Sequence, residues 1–386
     1  MKIHHSIAAA MLACAWPLAV HAETRDVDLE AVDGTRLKAT YFAAAKPGPG
    51  VVLLHMCNSQ RKAWAALGDK LAKQGVHAVA LDYRGYGESG GTPVDDLPQA
   101  ERQRISQQHW ASDIDQAFDF LVSQPGVDRS RIGAVGGSCG VDNAIQLARR
   151  HADVKALVLL AGQTSAAGEN FIAQSPWLPI FASAAHDDGR AVDVMRWVLG
   201  FSGGRANHLQ EYRTGGHGTD MFAVHEDLEP AIVAWFDKYL VKEPVQAKTA
   251  AAARPGPSAR IAAMLREPGG GARIRADLEA ARQAKKPFTL APEGVINALG
   301  YELLQGGRVS DAIGLFELNV AGYPESANTL DSLSDGHLAA GDKAKALDFA
   351  RKALAALPGD TNAPAEFKRQ IRESAEGKIR QLGGTK

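Results

Sequence analysis

The chain has 386 residues, with 43 Lys and Arg against 44 Asp and Glu, a formal net charge of −1. Hydrophobic residues make up 45% and charged residues 23%, a composition that excludes wholesale disorder. The balanced charge lacks the basic excess that non-specific nucleic-acid or anionic-membrane binding needs, and three cysteines without a Cys-x-x-Cys pair exclude a disulfide scaffold or a structural zinc.

Residues 1–22 read as a secretory signal. Lys2 starts it, Ser6 to Val20 is mostly apolar, and Val20-His21-Ala22 has the small-residue form of a cleavage site. The apolar run is too short for a membrane span, and Pro17 would break one. Met11-Leu12-Ala13-Cys14 offers lipoprotein processing as the alternative. Removing the signal predicts an exported protein, periplasmic or secreted, that retains Cys57 and Cys139 in an oxidising compartment.

From 23 to 242 strand and helix patterns alternate. Asp26–Val32 and Thr35–Ala43 flank Asp33-Gly34, a hairpin signal. Gly50–His55 and His77–Asp82 are short apolar runs of the buried parallel kind, separated by a helical pattern through Trp64, Leu67 and Leu71 that Gly75 ends. Trp110, Ile114, Ala117, Phe118 and Leu121 mark an amphipathic helix. Strands follow at Ile132–Gly136, Ala156–Ala161, Pro179–Ala184 and His208–Tyr212. This pattern predicts a doubly wound, mostly parallel sheet with helices on both faces, whose reacting groups sit at the carboxyl ends of strands.

Three such ends carry chemistry. Gly136-Gly137-Ser138-Cys139-Gly140 fits the Gly-x-Ser-x-Gly turn, in which glycines let neighbouring backbones approach while the serine oxygen is lifted clear. A phosphate-binding turn is the bland alternative, but the segment has neither Gly-Lys-Ser/Thr nor Gly-x-Gly-x-x-Gly. His217 lies between Gly216 and Gly218, after a strand and before the helix of Leu228, Ile232, Trp235 and Phe236. His77, His109, His151 and His208 start or border elements, as surface or packing residues do, and His217 and His225 lack a metal-ligand spacing. Asp187 and Asp188 follow the Pro179–Ala184 strand. Either could orient His217, and Asp188, just before Gly189, is the expected one. The order Ser, Asp, His, each at a strand end, predicts a nucleophile, an acid and a base.

On these residues, with His55-Met56-Cys57-Asn58 and Asp82–Ser89, the segment from 50 to 242 resembles the α/β-hydrolase superfamily, particularly its dienelactone-hydrolase-like and esterase-like branches. The resemblance implies an acyl-serine mechanism with Ser138 as nucleophile, His217 as general base and then acid, and Asp188 as the orienting carboxylate. It implies an oxyanion hole from the backbone N–H of Cys139 and one from the loop after the third strand, at Met56 or Cys57. The chain departs from the pattern at Met56, where the usual residue is glycine, and at Val141, where a further glycine is common. Dienelactone hydrolases proper carry cysteine at the position of Ser138. Cys57 and Cys139 then flank the oxyanion hole, either as a disulfide or as two buried thiols. The stretch Ala161–Leu178 leaves room for a small flap, with Phe171 and Trp177 available to an acyl pocket.

Residues 243–258, rich in Ala, Pro and Lys, read as a linker, and 259–386 as a helical domain. There Leu299/Leu333, Leu304/Leu338, Gly307/Gly341, Ala312/Ala346 and Pro324/Pro358 repeat at one fixed offset. This resembles two tetratricopeptide units, Ile296–Pro324 and Leu330–Pro358, with capping helices at Ala276–Ala284 and Phe367–Leu382. Its expected role is to bind a protein partner or self-associate, or only to stabilise the enzyme.

The expected function is therefore an exported serine hydrolase acting on a small-molecule carboxylic ester, with no cofactor or metal and no nucleic-acid partner. The alternatives are a peptidase or thioesterase using the same triad, and a non-catalytic adaptor whose helical repeats do the binding.

Overall fold

A computed structural model describes residues 23–204, 206–243, 256–286, 288–363 and 365–383. The stretch 1–22, read above as a secretory signal, and most of the stretch read as a linker lie outside these residues.

Eight strands form one sheet: β1 (Glu23–Glu30), β2 (Arg36–Ala43), β3 (Gly48–Leu54), β4 (His77–Leu81), β5 (Val127–Gly137), β6 (Val154–Leu160), β7 (Ile180–Ala185) and β8 (Asn207–Tyr212). Their order is β1-β2-β4-β3-β5-β6-β7-β8, with β1 and β2 antiparallel and β3 to β8 parallel. Gly34, at φ 81°, makes the turn between the first two strands. Val51 to Leu54 are fully buried because helices cover both faces, and each such side chain contributes about 1.5–3 kcal/mol of burial.

The helices of this domain are α1 (Ala65–Lys73), α2 (Gln99–Ile105), α3 (Ala111–Ser123), α4 (Cys139–Arg150), α5 (Ala166–Gln174), α6 (Ala191–Leu199) and α7 (Leu228–Phe236). The predicted elements are all present. Helices α2, α5 and α6 have no sequence counterpart above; α2 buries no residue and so carries no apolar stripe, whereas α6 buries Val192, Met195, Trp197 and Val198 and was passed over.

Helices α8 (Pro257–Arg266), α9 (Gly270–Gln283), α10 (Glu293–Gln305), α11 (Val309–Gly322), α12 (Ala327–Ala339), α13 (Lys343–Ala356) and α14 (Ala365–Gln381) form the all-helical region. Gly307 and Gly341, at φ 77° and 79°, turn the chain within the pairs α10/α11 and α12/α13. Ala312 and Ala346 are fully buried. Pro257, read as linker, instead opens α8 at a position where its missing N–H costs nothing.

The two regions share one continuous core that runs from the sheet through Trp197, Ala262, Leu265 and Ile274 to Phe316. The junction is a close backbone approach. Ser258 N–H donates to the Gly200 carbonyl at 3.0 Å, and a Cβ on Gly256 would stand 2.1 Å from that same oxygen. The helical region is therefore docked on the α/β domain.

Candidate active site

Ser138 sits between β5 and α4 at φ 52°, ψ −118°, a left-handed conformation that costs a non-glycine residue on the order of 1–3 kcal/mol. Bare neighbours make it possible. A Cβ on Gly136 would lie 2.0 Å from the Gly140 carbonyl oxygen, one on Gly140 2.4 Å from Leu54 O, and one on Gly162 2.2 Å from Ser138 O. Cys139 is the first residue of α4, so its N–H has no acceptor within the helix.

The adjacent aspartates divide the work. Asp188 Oδ2 stands 2.6 Å from His217 Nδ1, whereas Asp187 accepts from the N–H groups of Gly215 and Gly216 at 3.0 and 3.2 Å. One carboxylate holds the imidazole and the other holds the loop that carries it. The hydrogen bond from Asp188 raises the His217 pKa above its ordinary value, against an opposing effect of burial. Ser138, Cys139, Asp188 and His217 line one cavity of about 390 Å³, together with Ala161, Gly162, Gln163, Arg190, Ala191 and Val194. The predicted Ser, Asp and His are thus brought together. Phe171 and Trp177 are not among the lining residues. Both pack instead against the domain core.

The loop after β3 is held from below. His55 is fully buried, and burial pushes its pKa down to about 4, so the ring is neutral. Its Nε2 accepts from Tyr83 N–H at 3.2 Å, which leaves the proton on Nδ1 to donate to Met56 O at 2.6 Å. Arg61, also buried, donates its backbone N–H to Asp82 Oδ1 at 2.6 Å and pairs with Asp26, Asp82 and Glu88. The Met56 side chain fills the space beneath the histidine loop, where Thr219 N–H lies 3.4 Å from its sulfur. A Cβ on Gly218 would come within 2.3 Å of that sulfur. A side chain at 218 would therefore press on the Met56 sulfur, and the φ of 55° at Gly218 favours glycine there independently.

Cys57 and Cys139 form a disulfide with Cα atoms 5.8 Å apart. A second cavity, of about 620 Å³, adjoins it and is lined by Cys57, Cys139, Tyr86, Trp110 and residues of α2. The helix lining this second cavity comes from the segment after β4, which the sequence reading did not single out. Ala161, in a left-handed conformation at φ 49° and lining the cavity, was also missed, since alanine carries no signal for such a backbone. Among the described residues no cluster of His, Cys, Asp or Glu could hold a metal ion, and no helix is long and apolar enough to cross a membrane.

Strand order, elbow turn, and acid and histidine after β7 and β8 define the first region as an α/β-hydrolase fold, followed by an all-helical region. A sequence family described as serine aminopeptidase, S33, matches residues 45–189. An uncharacterized protein of Mycobacterium tuberculosis is 36% identical over 159 residues, which span 40% of this chain and 51% of the relative. Thiohydrolase aneE of Aspergillus aculeatus is 32% identical over 123 residues, 31% of this chain and 36% of the relative. The chain thus spans about half the length or less of these curated relatives. Among solved structures, an esterase of Pyrococcus furiosus aligns with TM-score 0.44 at 17% identity, covering 56% of this chain and 91% of the other.

Proposed function

We propose that the protein is an exported serine hydrolase that cleaves carboxylic esters through an acyl-serine intermediate. The observation that carries this reading is the 2.6 Å contact of Asp188 with His217 Nδ1 in the cavity that Ser138 lines. That contact holds the ring so that Nε2 is free to take the Ser138 proton. Ser138 Oγ attacks the carbonyl carbon, and the oxyanion is held by the N–H of Cys139 with that of Met56 or Cys57. Each donor is worth about 3 kcal/mol of transition-state stabilisation. His217 then passes its proton to the leaving alcohol, and a water deprotonated by the same ring releases the acid.

Export is supported by the apolar stretch after Lys2 and by the disulfide, which persists in oxidising compartments. Thioester or peptide substrates form the second reading, favoured by the thiohydrolase relative and by the description of the matching family. The helical pairs support a tetratricopeptide-like reading of 259–386, with partner binding or self-association as its proposed role.

Turnover of p-nitrophenyl acetate and butyrate by wild type and Ser138→Ala is the deciding experiment, with fluorophosphonate labelling of Ser138 beside it. Ester turnover that depends on Ser138 supports the reading. Labelling with thioester or peptide turnover alone moves it to the second reading, and neither labelling nor turnover refutes it.

A further inference from the structure

Arg190 follows Asp188 by two residues and lines the same cavity as Ser138 and His217. Both of its ion pairs nevertheless go to the helical region. Its Nε meets Glu293 Oε2 at 3.2 Å, its Nη2 meets Glu325 Oε1 at 2.7 Å, and its guanidinium lies 4.2 Å from the centre of the Tyr323 ring.

The receiving site is built for it. The Glu293 side chain is 13% exposed, and its other oxygen accepts from Ser326 Oγ at 2.8 Å and Asn328 Nδ2 at 3.0 Å. That leaves Oε2 directed at Arg190. Tyr323 is fixed in turn by donating its hydroxyl to Ala291 O at 2.8 Å. Gly189, at φ 52°, separates Asp188 from Arg190, and a Cβ built on it would stand 3.9 Å from the Asn362 carbonyl oxygen of the helical region.

A guanidinium this near in sequence is a natural competitor for the catalytic acid, because a two-pronged arginine–carboxylate pair is stronger than one hydrogen bond to imidazole. No ion pair within 4 Å joins Arg190 to Asp188 among the described residues. We infer that the helical region is a working part of the active site: its Glu293, Glu325 and Tyr323 hold and neutralise Arg190, so that Asp188 stays committed to His217. Arg190 and its two glutamates are positioning residues. The kinetic consequence rests on the serine-hydrolase reading; the placement of Arg190 does not.

The charged groups around this arrangement are few. Asp188 and Asp220 act on His217, and Asp187 is occupied by Gly215 and Gly216. Glu293, Glu325 and Tyr323 act on Arg190, and Asp193 acts on Tyr323.

The test uses the full chain, with the variants E293Q/E325Q and E293Q/E325Q/R190Q, judged folded by circular dichroism. Two quantities are read: kcat and KM on p-nitrophenyl butyrate, and the titration of the His217 ring by NMR. In E293Q/E325Q the freed arginine should draw on Asp188. The His217 pKa then falls, and kcat drops roughly ten- to hundredfold with KM little changed, the size expected when a catalytic group is misplaced. Adding R190Q should return both towards wild type. An unchanged titration in E293Q/E325Q, or no recovery with R190Q, overturns the inference. If the double variant does not fold, E325Q, at the exposed partner, should give the same shift to a smaller degree, and no shift there overturns it too. If wild type turns over no ester, the hydrolase reading falls while the titration still decides this one.

Discussion

Cys57 and Cys139 are separated by 82 residues in sequence and joined by a disulfide. The bond ties the loop after β3 to the first residue of α4, so the two segments proposed to form the oxyanion hole are covalently held together. Cys57→Ser, or reduction of wild type with a dithiol, should lower stability by about 2–4 kcal/mol, measured by urea unfolding. It should also reduce kcat on p-nitrophenyl butyrate by about tenfold, as the second donor becomes mobile. Equal stability and kcat with and without reductant would show that the bond holds nothing.

Asp187 and Asp188 should separate cleanly by mutation. Asp188→Asn leaves the geometry but loses the charge, and the expected loss in kcat is about 10³–10⁴-fold. Asp187→Asn weakens only the bonds to Gly215 and Gly216, with an expected loss of roughly tenfold. The reverse ranking would reassign the triad acid.

The pH dependence follows from the same pair. Asp188 raises the His217 pKa above its ordinary value of 6.5, and the neutral ring is the base, so kcat/KM should rise with pH through a value above 6.5. In Asp188→Asn that limb should move down. The raised folded-state pKa also means that the pair stabilises the fold fully below the unfolded value of 6.5. The contribution is lost as pH climbs through the folded value. Unfolding midpoints of wild type and His217→Gln should therefore converge above it.

Met56 and Gly218 should be coupled. Gly218→Ala places a methyl against the Met56 sulfur at a backbone φ of 55° and should cost about 1–3 kcal/mol in stability, with most of the activity. Met56→Gly in the same chain should recover the steric part but not the backbone strain. A double-mutant cycle on melting temperature and kcat measures this, and strict additivity would contradict the packing.

The helical region should not be separable from the enzyme. A chain ending at Glu243 would expose the face of α5 and α6 that meets Ala262 and Leu265, with Trp197 among its buried residues. Such a truncation is expected to be insoluble or to melt well below the full chain. A soluble truncation with wild-type melting and kcat would show that the two regions are independent.

Most of the fold was legible before the structure because the relevant signals are local. Buried parallel strands read as apolar runs, Gly-x-Ser-x-Gly marks its own turn, and the alternation of strand and helix restricts the topology to a sheet with chemistry at one edge. The histidine between two glycines and the aspartates before Gly189 were visible for the same reason. Helix α2 was not, because a helix that buries nothing has no periodic stripe. The cavity lined by α2 was not anticipated either, because loop length says little about which segment covers a cavity.

Sequence alone therefore determined which residue types stand at the strand ends, and the repeat of the helical region. Only the tertiary structure decided which aspartate meets His217, that Cys57 and Cys139 are bonded rather than free thiols, and that the Met56 sulfur packs against Gly218. It alone paired Arg190, two residues after Asp188, with Glu293, 103 residues further along. The reason is physical: propensity and periodicity act over a few neighbouring residues, whereas these pairings depend on distances across the packed sheet and between two docked domains.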